Sequence, residues 1–272
     1  MPGYWRLLMI DIFSSHAVRA FQTVRSTQII TSSTEHAALL SLLTTVTKPV
    51  VISFINAHAF NLVWKHPAFA ANLPHSDVLL RDGIGISLLM RALGMDPGLD
   101  MNGTDFIPFI VRAFVAKRVA LCGTAEPHLT EAAVAVRRLG GEVVLAIDGF
   151  REYAVYVEQI ACAGADLVIL GMGMPKQEAV AAKLARELNG PLVIVNGGAI
   201  LDFWANRFPR APFAWRRLRL EWLFRLIHEP RRLWRRYLFG GIVFAVRVAQ
   251  LRLISPVLEA RGIVSVDSSQ LL

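Results

Sequence analysis

The residues best placed to do chemistry are a glycine loop, an amide and two carboxylates, each at the end of a short apolar run. Leu167 to Leu170 stops at Gly171, where Gly171, Gly173 and Pro175 make a turn before helical spacing resumes near Glu178. Glycines let backbone N–H groups approach an anion closely, and a helix N-terminus adds partial positive charge, so this loop suits a phosphate or diphosphate. The bland alternative is an ordinary strand-to-helix turn. The third glycine of a dinucleotide fingerprint is absent, Lys176 standing in its place, and no Gly-Lys-Ser/Thr triplet occurs. A second run, Val50 to Ile55, leads into Asn56 and His58, and a third ends in Arg81-Asp82-Gly83. An amide such as Asn56 both donates and accepts, whereas His58 alone reads as a loop histidine. Asp82 either faces a cleft or caps the helix after it. Asp202, just past Gly197-Gly198, stands where a carboxylate can hold the hydroxyls of a ribose or cap a short helix.

The elements that must position these groups alternate. Ser32-x-x-Glu35 is a capping box ahead of a helix over 37–46, and Pro49 turns the chain into the first strand. Helical patterns follow at 60–69, 86–93, 106–116, 127–139, 153–163 and 178–188. Strands are expected near 77–80, 119–122, 143–147, 167–170 and 192–195. Strands and helices in strict alternation predict an α/β fold with a doubly wound, mostly parallel sheet, whose ligands bind beyond the carboxyl ends of the strands. Residues 1–27 carry no clear pattern and read as a lead, 28–204 as the main domain, 205–240 as an appendage and 241–272 as a tail.

Charge separates the appendage from the body. The chain carries 29 basic and 21 acidic side chains, a net charge of +8. Ten arginines and two acids lie between Arg207 and Arg236, leaving 19 of each sign elsewhere. Four of the six tryptophans, Trp204, Trp215, Trp222 and Trp234, fall in or beside the same segment. Arginine at helical spacing with interleaved tryptophan suits a helix lying on an anionic membrane, where each cation contributes roughly 1 kcal/mol. Nucleic-acid binding or a solvated basic face would use the same residue types. Cys122 and Cys162 are not in a Cys-x-x-Cys pair and read as buried free thiols in a reducing compartment. The apolar run 7–10 is too short for a signal peptide, and the best candidate for a membrane span, 238–254, is interrupted by Arg247 and Arg252.

Several separated blocks carry a resemblance. FINAH at 54–58, LLRDGIGI at 79–86, NGTDF at 102–106, LGMGMPKQE at 170–178, GGAILDF at 197–203 and RAPFAWRRLRLEWLFRLIHEPRRLWRRY at 210–237 resemble, in this order, the WecG/TagA/CpsF family of bacterial glycosyltransferases over residues 28–240. The resemblance implies a Rossmann-like domain with a C-terminal helical appendage that associates with the membrane. It also implies an inverting, metal-independent transfer from a UDP-sugar to a polyprenyl-diphosphate-linked sugar, for exopolysaccharide, capsule or cell-wall glycopolymer. By the same resemblance Asp82 is the general base, and Asn56 and Gln177 lie near acceptor and donor. Gly171 and Gly173 lie against the diphosphate, Asp202 lies near the nucleoside, and Arg210, Arg225 and Arg232 close over diphosphates. No cofactor, metal or nucleic acid is expected; a homo-oligomer and a peripheral place on the cytoplasmic face of the cell membrane are.

The residues agree on one point: the chain has no Asp-x-Asp pair, so a metal-free site would neutralise a leaving diphosphate with backbone amides and cations. Phe54 and Asp100 depart from the family pattern, which commonly has threonine and arginine there, and leave open whether N-acetylmannosamine or a hexose moves. Two other readings are an NAD-dependent oxidoreductase, from the Gly-x-Gly and the alternation, and a non-catalytic membrane-binding protein.

Overall fold

The computed structural model describes residues 15–260. Its centre is a six-stranded, wholly parallel sheet in the order β2-β1-β6-β5-β3-β4. The strands are β1 (Pro49–Ile55), β2 (Val78–Arg81), β3 (Arg118–Gly123), β4 (Glu142–Ile147), β5 (Leu167–Gly171) and β6 (Leu192–Asn196). The chain leaves β1 toward one edge and β3 toward the other, so this is the doubly wound α/β arrangement that the alternation predicts.

Period-two alternation divides the strand side chains between two apolar layers. Val50, Ile52 and Phe54 of β1 join Leu121, Ile169 and Val195 under α2 (Ser33–Leu43), α6 (Gly103–Ala113), α7 (His128–Arg138) and α10 (Ile200–Trp204). On the other face Val51, Cys122, Val168 and Ile194 pack under α8 (Tyr153–Ala163) and α9 (Lys176–Glu187). Ile55 and Leu79 meet a further cluster of helices: α1 (15–25), α3 (Ala57–Lys65), α4 (Pro67–Asn72), α5 (Gly83–Ala92) and α14 (Gly240–Ala260). The helix expected over 60–69 is thus two helices, divided at His66 before Pro67, as the restriction on residues preceding proline requires. Ser32 accepts the Glu35 N–H as the capping box predicts, but the Glu35 carboxylate turns back to Thr31.

Two expectations are corrected. The lead at 1–27 is helical from residue 15, and Ala17, Ala20, Phe21 and Val24 are buried in the core; residues 1–14 lie outside the described residues. The tail at 241–272 is, as far as residue 260, a core helix: Phe244, Leu251 and Leu258 recur every seventh residue and pack against α3 and its neighbours. Residues 261–272 lie outside the described residues. Pro230 to Ala260 is one continuous helix of 31 residues, long and apolar enough to cross a bilayer by length and composition. Arg247, which interrupts the apolar run in sequence, is absorbed by α3. Its guanidinium donates to the Asn61 carbonyl and side-chain oxygens at 2.9 and 2.8 Å and lies 5.1 Å from the Trp64 ring centre. Cys122 is buried as expected, but Cys162 is exposed on α8.

A packed α14 has a measurable signature. Leu251→Ala, at a fully buried position, should cost about 2–5 kcal/mol in chemical denaturation. Leu253→Ala, two residues on and 79% exposed, should cost less than about 0.5 kcal/mol. Equal effects would show that α14 does not pack on this face.

Candidate active site

Strand register places the central pair. Ile55 of β1 is paired with Arg81 of β2, so the residues that follow, Asn56 and Asp82, leave the sheet side by side. Asn56 is the N-cap of α3: its Oδ1 accepts from the N–H groups of His58 and Ala59 at 3.1 and 3.0 Å. That fixes the amide's orientation, and its Nδ2 donates to Asp82 Oδ2 at 3.1 Å. Asp82 occupies the N-cap position of α5 but makes no capping bond. The Gly83 N–H is taken instead by Asp100 Oδ1 at 3.0 Å, and Asp100 is itself held 3.4 Å from the buried Arg81 guanidinium. Of the two roles open to Asp82 in sequence, the geometry selects the cleft.

That cleft is a cavity of about 600 Å³. Asn56, His58, Asp82 and Asp100 form its polar floor, α5 and α14 its sides, and the arginine segment its roof. Burial pushes the Asp82 carboxyl up to about 6, against the opposing effect of the Asn56 hydrogen bond; Asp100 adds to the rise and Arg225 reduces it. Burial, then the nearby Arg236, pushes His58 down to about 4, so it is neutral at physiological pH. The roof is docked through α6. Asn102 caps that helix, accepting from the Asp105 N–H at 3.0 Å, and the Asp105 carboxylate receives Arg210 and, at 3.7 Å, Arg216.

The roof comprises α11 (Phe213–Arg217), α12 (Glu221–His228), α13 (Pro230–Trp234) and a π-helical turn, Arg235–Phe239, continuous with α14. Arg225 and Arg236 line the cavity with Arg216, Arg217 and Arg219. The Nε atoms of Arg216, Arg225 and Arg236 are buried without a partner. Unpartnered buried donors are costly, and a cavity lined by five arginines is suited to an anion. Arg232 and Arg236, four residues apart on one helix, have different partners: Arg232 pairs with Glu229 at 2.6 Å and covers the Phe208 ring, while Arg236 lines the cavity.

The remaining sequence candidates form a second group. Gly123 and Gly171 end neighbouring strands so close together that a Cβ on Gly123 would lie 2.4 Å from the Gly171 carbonyl, and a Cβ on Gly171 would lie 2.7 Å from the Leu201 side chain. Gly171 is therefore required by packing. Gly173 has φ +78° and open space around its Cα, the property wanted of a loop that receives a ligand. Gln177 is fully buried; its Oε1 accepts from the Gly198 N–H at 3.0 Å and its Nε2 donates to Glu178 at 2.9 Å, joining the two glycine loops. Burial pushes Glu178 up to about 7. Asp202 accepts from Thr124 at 2.7 Å and pairs with Arg207 at 3.1 Å. Asn56, Asp82 and Arg225 thus line the cavity, Arg210 is anchored at its edge, and Gly171, Gly173, Gln177, Asp202 and Arg232 are not among its lining residues.

Sequence reasoning missed Arg236, Tyr237, Gly241 and Phe244 as lining residues. Their spacing continues one helical face across the boundary set at 240, a periodicity that was available in the sequence.

Fold and cavity define a doubly wound α/β protein with a carboxylate of raised proton affinity beneath a cationic roof. Known sequences specify the class further. The WecG/TagA/CpsF glycosyl transferase family matches residues 24–256, so the chain belongs to that family and is a glycosyltransferase. The match runs past residue 240 through most of α14. A relative 31% identical over 179 residues, covering 64% of this chain and 69% of its own, is the N-acetylglucosaminyldiphosphoundecaprenol N-acetyl-beta-D-mannosaminyltransferase of Bacillus spizizenii. The oxidoreductase and non-catalytic readings give way to this membership.

With its proton affinity raised to about 6, the Asp82 carboxyl is ionised above that pH and protonated below it, so a reaction that needs the carboxylate should show full kcat/KM above about 6 and lose it as pH drops through that value. The Asn56 amide favours the ionised form, so Asn56→Ala should move this acid limb to higher pH by on the order of half a unit or more. A pH–rate profile checks it; an unmoved limb would remove Asn56 from the environment of the titrating carboxylate.

Proposed function

We propose that this protein is an inverting glycosyltransferase that moves a sugar from a UDP-sugar to a polyprenyl-diphosphate-linked sugar, with Asp82 as general base. The observation that carries the proposal is the carboxylate at a helix N-cap that does not cap, held by Asn56 toward a cavity roofed with arginines. In an inverting displacement the acceptor oxygen attacks the anomeric carbon from the side opposite the leaving group. Its proton passes to Asp82 as the new C–O bond forms. The bond to UDP breaks with its electron pair going to the diphosphate, and guanidinium groups such as Arg225 meet the growing charge. The relative's name, with a diphosphoundecaprenol-linked acceptor, supports the acceptor class. Phe54 is buried in the core beside Gly103, so the family position it occupies here contributes packing.

We read the reaction as independent of metal. The sequence has no Asp-x-Asp pair, and among the described residues no three His, Cys, Asp or Glu side chains are grouped as metal ligands. The role of a cation falls to the arginines and to the open Gly173 loop.

The protein is further read as peripheral on the cytoplasmic face of the cell membrane. Trp222 and Trp234 are each 39% exposed among the arginines, and Phe213, Leu218, Phe239 and Ile242 are exposed nearby. Indole at headgroup level and guanidinium near anionic lipid are the two contributions such binding combines.

Two experiments test the reading. UDP release measured in EDTA should require both a UDP-sugar, UDP-glucose or UDP-N-acetylmannosamine, and a polyprenyl-diphosphate-linked sugar. Asp82→Asn should lower it about 10²–10⁴-fold while UDP binding persists; wild-type turnover in that variant would remove Asp82 as the base. In vesicle sedimentation, Trp222→Ser with Trp234→Ser should weaken binding to anionic vesicles and leave the circular dichroism spectrum unchanged. Undiminished binding would place the membrane surface elsewhere.

A further inference from the structure

Besides its polar residues the cavity is lined by Ile84 and Leu88 of α5 and by Gly241 and Phe244 of α14. A diphosphate is polar throughout and a hexose offers an apolar wall only the C–H face of its ring, less than these four residues present. Leu88 is 55% exposed at the rim, and Ile242, the residue after Gly241, is 65% exposed and lies in an apolar row with Phe239 and Val246. The wall therefore runs out to an exposed apolar surface.

Glycine makes the room. Gly240 and Gly241 lie inside a helix, where each costs roughly 1 kcal/mol relative to alanine. A Cβ on Gly241 would meet nothing within 4 Å. That space is held open by the frame around it: Asn61 Nδ2 donates to the Gly240 carbonyl at 2.8 Å, and the Phe244 ring lies against the Gly85 backbone, 3.6 Å from where a Cβ would stand. Along the helix the order is Arg236, then Gly240-Gly241, then Phe244: a cation, a gap, an apolar wall. Along α5, six residues separate Asp82 from Leu88, a rise of about 9 Å, on the scale of a hexose with a diphosphate.

Resting on the transferase reading above, we propose that the groove between α5 and α14 binds the first isoprene units of the acceptor's lipid. The sugar hydroxyl then sits at Asp82, the diphosphate passes Arg236, and the hydrocarbon leaves between Leu88 and Gly241 toward the exposed apolar row. The groove makes lipid length a determinant of acceptor binding, and it selects acceptors whose chain begins immediately after the diphosphate.

The test compares two acceptors carrying the same sugar diphosphate, one on a long polyprenol and one on a short water-soluble alkyl chain, in the same detergent. Wild type should show a KM at least tenfold lower for the long-chain acceptor. Gly241→Leu places its Cβ where nothing lies within 4 Å and replaces a poor helix former by a good one, and an unchanged circular dichroism spectrum verifies the fold. It should raise the ratio of long-chain to short-chain KM at least tenfold. Leu88→Asn, at an exposed position, should move the ratio in the same direction. A ratio unmoved in both variants, or a wild type with equal KM for the two acceptors, overturns the groove while leaving the transferase reading intact. A wild type that transfers to neither acceptor overturns both.

Discussion

The hydrogen bond from Asn56 to Asp82 is the interaction on which the site depends. One amide performs two tasks that must agree: its oxygen closes the first turn of α3, and its nitrogen orients the carboxylate. Because the oxygen is committed to two backbone N–H groups, the amide cannot rotate without uncapping a helix whose Ala59, Phe60 and Val63 are buried in the core. The carboxylate's geometry is thus backed by core packing. Asp100 completes the arrangement by taking the Gly83 N–H that an N-cap aspartate would ordinarily take. Asp100, itself beside buried Arg81, leaves Asp82 free to face the cavity.

The appendage supplies what the body lacks. The body is electrically balanced and offers the cavity mainly carboxylates, whereas the roof brings five arginines to it. Burial lowers the proton affinity of Arg236, the expected result of taking a cation from water, with Tyr237 and Asp82 opposing the effect. Cations taken out of water in this way are favoured by a facing anion. The Asp105 carboxylate, receiving Arg210 and Arg216, keeps the roof attached. The positive charge of the roof is complementary to an anionic ligand.

The segment beyond residue 240 shows how misleading a boundary drawn by motif can be. Its apolar residues serve two surfaces at once. Phe244, Leu251 and Leu258 belong to the core, while Ile242, Val246, Leu253 and Val257 face outward. In sequence these merge into one hydrophobic run of weak amphipathic character. Only the presence of α3, with Asn61 and Trp64 waiting for Arg247, divides that run into an inner and an outer face.

The sequence by itself determined the fold class, because period-two and helical spacings are local consequences of side-chain geometry. It also located the strand-end residues, because a parallel sheet presents its ligands there. Asp82 and Asn56 were legible for that reason, whereas Arg225, on α12, was singled out by the resemblance. The sequence left open whether Asp82 caps or faces the cleft, since that depends on Asp100, 18 residues away in sequence, and on register with Asn56. The resemblance grouped Gln177 and Arg232 with the site, whereas their observed partners, Gly198 and Glu229, are set by how loops and helices pack. The sequence could not show that a tail helix returns to wall the cavity. Local pattern specifies which elements form; which side chains share a volume is decided by long-range packing, and that only the tertiary structure contains.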